Sequence, residues 1–184
     1  MEQKRLALYT IDMKYVRNLS IAEERRRGKK HNHVFSVSPQ SGKDIRPFIG
    51  VIVICGDKQY CVPLSSPKEK HNTMNNAVDF SKVYSPKGKL IGVLNFNDMI
   101  PVRDDVIRLL DVNPHKGDSQ AMIQYKILAR NQLTFCHQNQ DAIVRKANKL
   151  YRLITGKKAN SFLRSRCCDF KNLESVLEKY APKE

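Results

Sequence analysis

Residues 46–71 read RPFIGVIVICGDKQYCVPLSSPKEKH, and this stretch decides the fold. The apolar run from Phe48 to Cys55 predicts a strand, and Gly56 to Lys58 predicts a reversal into a second strand over residues 59–64. The first strand is apolar at nearly every position, which is typical of a strand covered on both faces. The hairpin ends in the polar group Ser65-Ser66-Pro67-Lys68. Two hydroxyls and a lysine at the end of a buried hairpin predict a site for an anion.

The rest of the chain places strands first and helices later. Residues 6–11, 79–84, 90–96 and 99–102 have the composition of strands, and Pro101 puts the last of these at a sheet edge or a bulge. Residues 104–110 are compatible with a helical turn. From Ser119 the apolar period becomes helical, and we expect helices throughout residues 119–180. This order predicts an α+β fold with a mixed or antiparallel sheet, as a single domain over residues 1–184.

The net charge of the chain is +15, from 33 Lys and Arg against 18 Asp and Glu. So large an excess predicts a polyanionic partner, and nucleic acid is favoured over anionic lipid because the sequence lacks the lipid-attachment signal of a membrane-surface binder. A soluble protein with a basic surface and no such partner is the alternative interpretation. Residues 20–44 are mostly polar, and we expect them to form a long basic loop.

Two groups of cations are candidate RNA contacts. In the first group, five cations within the predicted loop would be neutralised on a polyanion, although a solvated charge run is equally compatible with them. In the second group, cations spaced three to four residues apart share a helix face, while Ile143, Leu150 and Ile154 turn inward. A one-sided stripe of this kind is typical of a surface that contacts a nucleic-acid backbone. The candidates are Arg25, Arg26, Arg27, Lys29, Lys30, Arg145, Lys146, Lys149, Arg152, Lys157 and Lys158.

The group at Ser65 to Lys68 has the residue types that RNA cleavage without a metal needs. The 2′-hydroxyl must lose a proton, the phosphate oxygens need positive charge and hydrogen bonds, and the leaving 5′-oxygen needs a proton. Ser65 and Ser66 supply hydroxyls, Lys68 supplies a cation, and an antiparallel hairpin brings Arg46 beside them. A capped turn without catalysis is an alternative interpretation. His71 is either an acid, base or RNA contact of this site or a surface-loop histidine.

Other classes of protein are disfavoured. No apolar run approaches the roughly 20 residues of a membrane span, and residues 1–12 lack the apolar stretch of a signal peptide, so we expect a cytoplasmic protein. The five cysteines are an odd number without a CxxC pair, which indicates reduced thiols. The histidines are scattered and no nucleotide-binding or metal motif is present, so we expect neither a cofactor nor a metal.

A family resemblance rests on the following segments: YTID and KY (residues 9–12 and 14–15), RPFIGV (46–51), PLSSPKEKH (63–71), IGVLNFNDMIPV (91–102) and LLD (109–111). They resemble segments of the ToxN/AbiQ/CptN toxins of bacterial type III toxin–antitoxin systems. They occur in the family's order and extend over about the first two thirds of the chain. The segment PLSSPKEKH is the most specific of them, and the C-terminal helices match only in pattern.

The resemblance implies a metal-independent endoribonuclease, held inactive by a repetitive pseudoknot RNA antitoxin that the enzyme cuts from a longer precursor. It also implies a compact, twisted, mostly antiparallel sheet or barrel-like core with surrounding helices, similar to MazF- and Kid-type toxins. Ser66 would contact the 2′-hydroxyl or the scissile phosphate, Ser65 and Lys68 would support the transition state, and Tyr15 would line the pocket. Arg46 stands where the family often has a lysine. The products would carry a 2′,3′-cyclic phosphate and a 5′-hydroxyl.

The family's partners would be the antitoxin RNA and cellular or phage RNA targets, with toxin copies bridged by antitoxin RNA in a closed assembly. Two departures from the family pattern are visible: Ser65-Ser66 replaces a common Thr-Ser pair, and the basic segment 23–43 is longer than usual. A non-catalytic basic RNA-binding protein of a ribonucleoprotein assembly is the alternative function, since charge alone does not separate the two.

Overall fold

Seven strands form one sheet in the computed structural model, which describes residues 2–34, 48–156 and 161–181. All pairs of neighbouring strands are antiparallel. The strand order is β4-β5-β3-β2-β1-β7, with β6 paired to β3, so the sheet is open at β4 and β7. The antiparallel α+β prediction is confirmed, whereas the barrel-like closure is not found. The strands are β1 Leu8–Ile11, β2 Phe48–Cys55, β3 Lys58–Ser65, β4 Phe80–Tyr84, β5 Leu90–Asn95, β6 Ile100–Val102 and β7 Ile107–Leu109.

Strand β3 has neighbours on both sides. It pairs with β2 on one side, and on the other side its first half pairs with β6 and its last two residues with β5. Gly50 of β2 lies opposite Pro63 in this pairing, and a Cβ added at Gly50 would lie 2.3 Å from the carbonyl oxygen of Val62. Pro101 of β6 lies opposite Tyr60 of β3. In the described residues β6 pairs with β3 alone, which confirms the predicted edge position of Pro101.

Six helices surround the sheet in the described ranges. None of them is long and apolar enough to cross a membrane. Three of the long ones begin at a side-chain cap: Asp12 accepts from the Lys14 amide, Ser119 from Met122 and Asp169 from Asn172. The helices are α1 Met13–Arg27, α2 Lys70–Thr73, α3 Gln120–Gln138, α4 Gln140–Thr155, α5 Ser161–Ser165 and α6 Phe170–Lys179.

Helix α1 corrects the prediction of a loop over residues 20–44. The helix continues to Arg27, and residues 29–31 form a further 3-10 turn. Tyr15, Leu19 and Glu23 are buried at four-residue spacing on one face, which a search for apolar side chains misses because the third is a glutamate. The three arginines of its last turn complement the negative end of the helix dipole. Residues 35–44 lie outside the described ranges.

Strand β7 corrects the prediction of a helical turn over residues 104–110. Residues 104–106 do form a 3-10 turn, but Ile107–Leu109 then pairs with β1 as an edge strand. Leu109 is 68% exposed and Arg108 is also exposed, so this strand has no alternating pattern. A three-residue edge strand of this kind depends on its partner, not on its own sequence.

The core lies between the sheet and helices α1, α4 and α6. Helix α4 places Ile143, Leu150 and Ile154 in it, as its sequence predicts. Glu174 of α6 is also buried, and its Oε1 accepts hydrogen bonds from the hydroxyls of Tyr60 (2.7 Å) and Tyr151 (2.8 Å). One carboxylate therefore joins β3, α4 and α6.

Replacement of Glu174 by alanine tests this junction. Two buried hydroxyls and Lys171, whose Nζ lies 3.0 Å from Glu174 Oε2, would lose their common acceptor. We expect Glu174→Ala to lower the free energy of unfolding by about 2–4 kcal/mol in urea denaturation. Glu178→Ala is the matched control on the same helix, because Glu178 is 65% exposed and pairs with Lys58 at 3.1 Å; we expect it to cost less than about 1 kcal/mol. Equal losses in the two variants would contradict the junction.

Candidate functional site

Ser65 is the last residue of β3, and β5 fixes its side chain. The pairing of Ser65 with Val93 brings Asn95 close, and Asn95 Nδ2 donates a hydrogen bond of 2.9 Å to Ser65 Oγ. Because the hydroxyl oxygen accepts from Asn95, the hydroxyl proton is directed elsewhere. Ser65 is half-buried, so this proton is available to a ligand at the surface.

Ser66 and Lys68 follow at the surface, on a loop that is closed by hydrogen bonds. Both residues are exposed. The backbone N–H of Lys68 donates to His71 Nδ1 at 2.8 Å, and the backbone N–H of His71 donates to the Lys68 carbonyl at 2.8 Å. Pro67 adds a fixed φ between the two exposed residues. The loop therefore presents a hydroxyl and an ammonium group from a constrained backbone.

His71 is a buried residue, not a surface-loop histidine. It is 6% exposed, and its ring lies 5.3 Å from the ring of Phe80. Burial is the largest cause that lowers the pKa of His71, and the charges of Lys70, Lys68 and Lys82 lower it further. Nδ1 accepts from the Lys68 amide, so the proton of the neutral ring is on Nε2.

Lys146 was predicted as part of the stripe of exposed cations, but its side chain instead connects α4 to β4. It is half-buried, and its Nζ donates to the carbonyl of Phe80 at 3.2 Å and to Ser81 Oγ. The same Nζ lies 5.6 Å from the centre of the Phe96 ring. Burial lowers the pKa of Lys146. Its contacts make it a support of β4, the strand that carries Phe80 behind His71.

The remaining described cations of the stripe lie on the surface of α4. Arg145, Lys149 and Arg152 are exposed on the side opposite the buried apolar residues. They form a continuous outer face, which we call the α4 face. Lys157 and Lys158 lie outside the described residues.

The cations near the end of α1 divide into two kinds. Arg26 pairs with Asp169 at 2.7 Å. Arg27 pairs with Glu23 at 3.1 Å and also donates to the carbonyls of Cys167 and Arg164. These contacts hold α1 to the start of α6 and disfavour a primary role in binding RNA. Arg25, Lys29 and Lys30 are exposed.

One candidate residue, Tyr15, is not brought to the loop. Tyr15 is fully buried, and its hydroxyl donates to the Pro101 carbonyl at 2.6 Å. A role in lining the pocket does not fit this position; the tyrosine is a core residue, as its place on the inner face of α1 dictates. Arg46 lies outside the described residues.

A pair of interacting acids, Asp79 and Asp98, escaped the sequence analysis. Asp79 is 3% exposed and lies 2.9 Å from Arg166 Nη2. Asp98 accepts from Asn97 Nδ2 at 2.6 Å, and burial together with the charge of Asp79 raises its pKa to about 7. The charge of Lys70 acts in the opposite direction. Asp98 belongs to the segment NFND, which also contains Asn95 and is part of the family resemblance. A strand prediction for this region does not show which acidic side chains the fold buries.

A cavity of about 290 Å³ lies elsewhere, lined by residues 2–5, by β1 and by the part of the hairpin nearer its turn. Its walls include Ile54 and Gln59, whereas Ser65 is at the other end of β3. The wall residues carry both signs of charge, from Glu2 and Asp104 to Lys4 and Arg5. The exposed loop, not this cavity, therefore has the chemistry for an anion. Among the described residues, no group of three or more His, Cys, Asp or Glu side chains could hold a metal ion.

Comparison with known proteins gives a consistent family. The family described as toxin ToxN of type III toxin–antitoxin systems matches residues 7–178. A relative named Endoribonuclease ToxN from Bacillus thuringiensis subsp. kurstaki is 33% identical over 143 residues, which are 76% of this chain and 71% of the relative. A relative of the same name from Pectobacterium atrosepticum is 27% identical over 179 residues, which are 95% of this chain and 92% of the relative.

Solved structures agree over nearly the whole chain. A structure concerned with selective toxin inhibition by a non-coding RNA pseudoknot in bacterial type III systems has a TM-score of 0.75 at 27% identity, covering 96% of this chain and 98% of the other. AbiQ, a lactococcal anti-phage endoribonuclease of a type III system, shares the fold with a TM-score of 0.72 at 22% identity, covering 95% and 97%. The likeness to MazF- and Kid-type toxins stays a prediction.

The pKa of Asp98 gives a prediction about stability. The pKa of Asp98 in the folded protein, about 7, is above the ordinary value of 3.8. The stability that the protonated carboxyl group contributes is therefore fully present below pH 3.8 and is lost as the pH rises through 7. An asparagine keeps the acceptor oxygen without the charge. We expect Asp98→Asn to stabilise the protein at about pH 8 by roughly 1 kcal/mol or more, and by much less at about pH 4, in urea denaturation.

Asp105→Asn is the control with the opposite sign. Arg103 lies 2.7 Å from Asp105 and lowers its pKa, so this variant is expected to lose stability at the higher pH. The account of Asp98 is wrong if its replacement changes stability equally at the two pH values.

Proposed function

The chain belongs to the ToxN family of type III toxin–antitoxin toxins, and we propose that it is an endoribonuclease that cuts RNA at the loop Ser65–Lys68. Both curated relatives are named endoribonucleases, and one of them aligns with 95% of this chain. The observation that carries the site assignment is the loop itself. It holds an exposed serine and lysine on a backbone closed by two hydrogen bonds, beside a serine whose oxygen is already engaged.

The reaction we propose uses the nucleophile of the substrate. The 2′-oxygen forms a bond to the adjacent phosphorus, and the bond from phosphorus to the 5′-oxygen breaks. One proton leaves the 2′-hydroxyl and one reaches the 5′-oxygen, so the products carry a 2′,3′-cyclic phosphate and a 5′-hydroxyl. No water is consumed and the atoms balance. The protein must mainly orient the ribose-phosphate and stabilise the charge that develops on it.

The loop residues fit distinct parts of this task. The ammonium group of Lys68 stabilises the negative charge on the non-bridging oxygens, because attraction between opposite charges strengthens when RNA excludes water. Ser66 contacts the 2′-hydroxyl or the phosphate with its exposed hydroxyl. Ser65 donates its proton to a phosphate oxygen while Asn95 holds its oxygen. These fixed charges and donors perform the step without a metal, which is part of the proposal.

The antitoxin is proposed to be a repetitive RNA pseudoknot that the enzyme processes and that then inhibits it. A similar structure concerns toxin inhibition by such a pseudoknot, and this chain covers 98% of it. The α4 face and the exposed cations Arg25, Lys29 and Lys30 would contact the RNA backbone, consistent with a net charge of +15. Lys157 and Lys158 stay candidates of the same kind, and Arg46 stays a candidate residue of the cleavage site.

The biological setting follows from this activity. We place residues 1–184, as one toxin domain, in the cytoplasm, where transcripts of the cell or of an infecting phage are the targets. Release from the antitoxin would stop growth and serve abortive infection as phage defence. Toxin copies bridged by antitoxin RNA would form a closed assembly. A non-catalytic RNA-binding protein is the second candidate, and it differs in requiring no reactive group at Ser66.

Removal of the Ser66 hydroxyl tests the catalytic assignment. We expect Ser66→Ala to lower the rate of RNA cleavage by about 100-fold or more, the usual effect of losing one group that stabilises the transition state. Folding and antitoxin binding should persist, because Ser66 is exposed. The measurement is single-turnover cleavage of a labelled RNA, with product ends identified by mass spectrometry. Ser175→Ala, an exposed serine on α6, is the matched control.

The same assay separates the alternatives. Wild-type protein should cut equally well with a chelator present. Cleavage that the chelator abolishes would overturn the metal-independent step, and wild-type cleavage by Ser66→Ala would overturn the site. If purified wild-type protein binds the RNA but cuts none, the non-catalytic candidate is correct.

Charge reversal on the α4 face tests antitoxin binding. We expect Lys149→Glu with Arg152→Glu to weaken binding several-fold at low salt and less at high salt, and to lower the slope of log affinity against log salt by roughly 2. The control reverses two exposed lysines elsewhere, Lys116→Glu with Lys179→Glu, which changes the net charge equally. Equal losses in both double variants would mean that net charge, not the α4 face, binds the RNA.

A further inference from the structure

We propose that His71 is a positioning residue of the cleavage site, whose neutral ring holds the Lys68 backbone in place and releases it when the ring is protonated. This inference rests on the proposed function, because it gives the buried ring a role only if Lys68 acts on RNA. It differs from a role in acid–base catalysis or in RNA contact. The distinction is visible in the hydrogen bonds of the ring.

The ring and the loop are joined by a reciprocal pair of bonds. The Lys68 amide donates to His71 Nδ1 and the His71 amide donates to the Lys68 carbonyl, each at 2.8 Å. An imidazole nitrogen accepts only when it carries no proton, and both nitrogens of an imidazolium are donors. Protonation of Nδ1 would therefore place its N–H against the backbone N–H of Lys68. The bond to Lys68 exists only in the neutral ring.

Occupation of Nδ1 also limits what the ring can do chemically. A general base takes a proton through a lone pair, and the lone pair of Nδ1 is engaged by the main chain of Lys68. While the loop has this conformation, Nδ1 is excluded as the base of the reaction. What the ring does perform is to define the position of the Lys68 backbone, three residues earlier.

The surroundings of the ring favour the neutral form. It is buried on the Phe80 ring of β4, and three ammonium groups face it: Lys68 and Lys70 from its own segment, and Lys82 from β4. Lys82 is itself held, because its Nζ donates to the Asn72 carbonyl at 3.0 Å. Burial and these three charges lower the pKa of His71 below its ordinary value of 6.5.

The sign of the pH effect follows. At neutral pH the ring is neutral, the loop is closed and Lys68 is in position. As the pH falls from the ordinary value of 6.5 through the lowered pKa, the unfolded chain binds a proton before the folded one does, and the stability that His71 contributes is lost. Cleavage should be lost as the pH falls through the lowered pKa, where the ring of the folded protein is protonated.

Three replacements separate positioning from chemistry. In asparagine, Oδ1 lies where Nδ1 lies in histidine, so His71→Asn keeps an acceptor for the Lys68 amide and cannot be protonated in this range. In glutamine the oxygen lies one bond farther, near the position of Nε2. His71→Ala removes the acceptor altogether. The three variants therefore differ in the position of one acceptor atom.

The experiment measures kcat and KM for RNA cleavage from about pH 5 to about pH 8, with thermal melting and antitoxin binding as checks on folding. We expect His71→Ala and His71→Gln to lower kcat at the higher pH by about 10- to 100-fold, and His71→Asn to recover most of that loss. Below about pH 6.5 the wild type should show an acid loss that His71→Asn lacks.

Each outcome decides the matter. If His71→Asn is as inactive as His71→Gln, the imidazole acts chemically and the positioning role is wrong; it is equally wrong if all three variants cut like the wild type. Should His71→Ala fail to fold, the comparison of asparagine with glutamine still decides. Lys68→Met distinguishes failure of the proposed site from failure of this inference. If Lys68→Met cuts RNA normally, both the site assignment and this inference are wrong. If Lys68→Met is inactive while the His71 variants cut normally, only this inference is wrong.

Discussion

The pairing of β3 on both sides is the constraint on which the site depends. Strand β2 holds it along one edge, β6 holds its start on the other edge, and β5 holds its last two residues. Because β2 pairs with β3 up to Pro63 and β5 pairs with its last two residues, the position of Ser65 is set by backbone hydrogen bonds before any side chain contributes. Asn95 and His71 then fix what the backbone leaves free: one orients the Ser65 oxygen and the other closes the loop of Lys68.

The positive charge of the chain serves two purposes that composition does not distinguish. Arg27, Lys146 and Lys171 direct their charge inward, to carbonyls, hydroxyls or buried carboxylates that join helices to the sheet. The cations of the α4 face are exposed and are not needed for that framework. The excess charge therefore includes a structural part, and only the exposed remainder is suited to a nucleic-acid backbone.

Much of this arrangement was predictable from local sequence, and the exceptions have physical causes. The hairpin, the inward face of α4 and the caps at Asp12 and Asp169 are encoded by residues near each other in the chain. The second half of helix α1 was predicted to be a loop because Glu23 occupies a buried position, where it accepts hydrogen bonds from the distant amide of Asp169 and from Arg27. Strand β7 depends in the same way on β1.

The candidate site divides along the same line. Ser65, Ser66 and Lys68 were visible as one polar group, but the contact from Asn95 and the burial of Tyr15 depend on residues 30 and 86 positions away. The family motif identified Tyr15 as a candidate but did not show that its side chain is buried in the core. A motif identifies which residues matter, whereas only the packed structure shows whether each one touches a ligand or supports a residue that does.

The most direct test of the central claim is a structure of the protein with an RNA that carries a 2′-O-methyl group at its cleavage position, which blocks the nucleophile. The account predicts that the adjacent phosphate lies within hydrogen-bonding distance of the Ser66 hydroxyl and the Lys68 ammonium group, with the Lys68 amide still bonded to His71. A blocked phosphate held against another surface, with the loop Ser65–Lys68 touching no RNA, would contradict it.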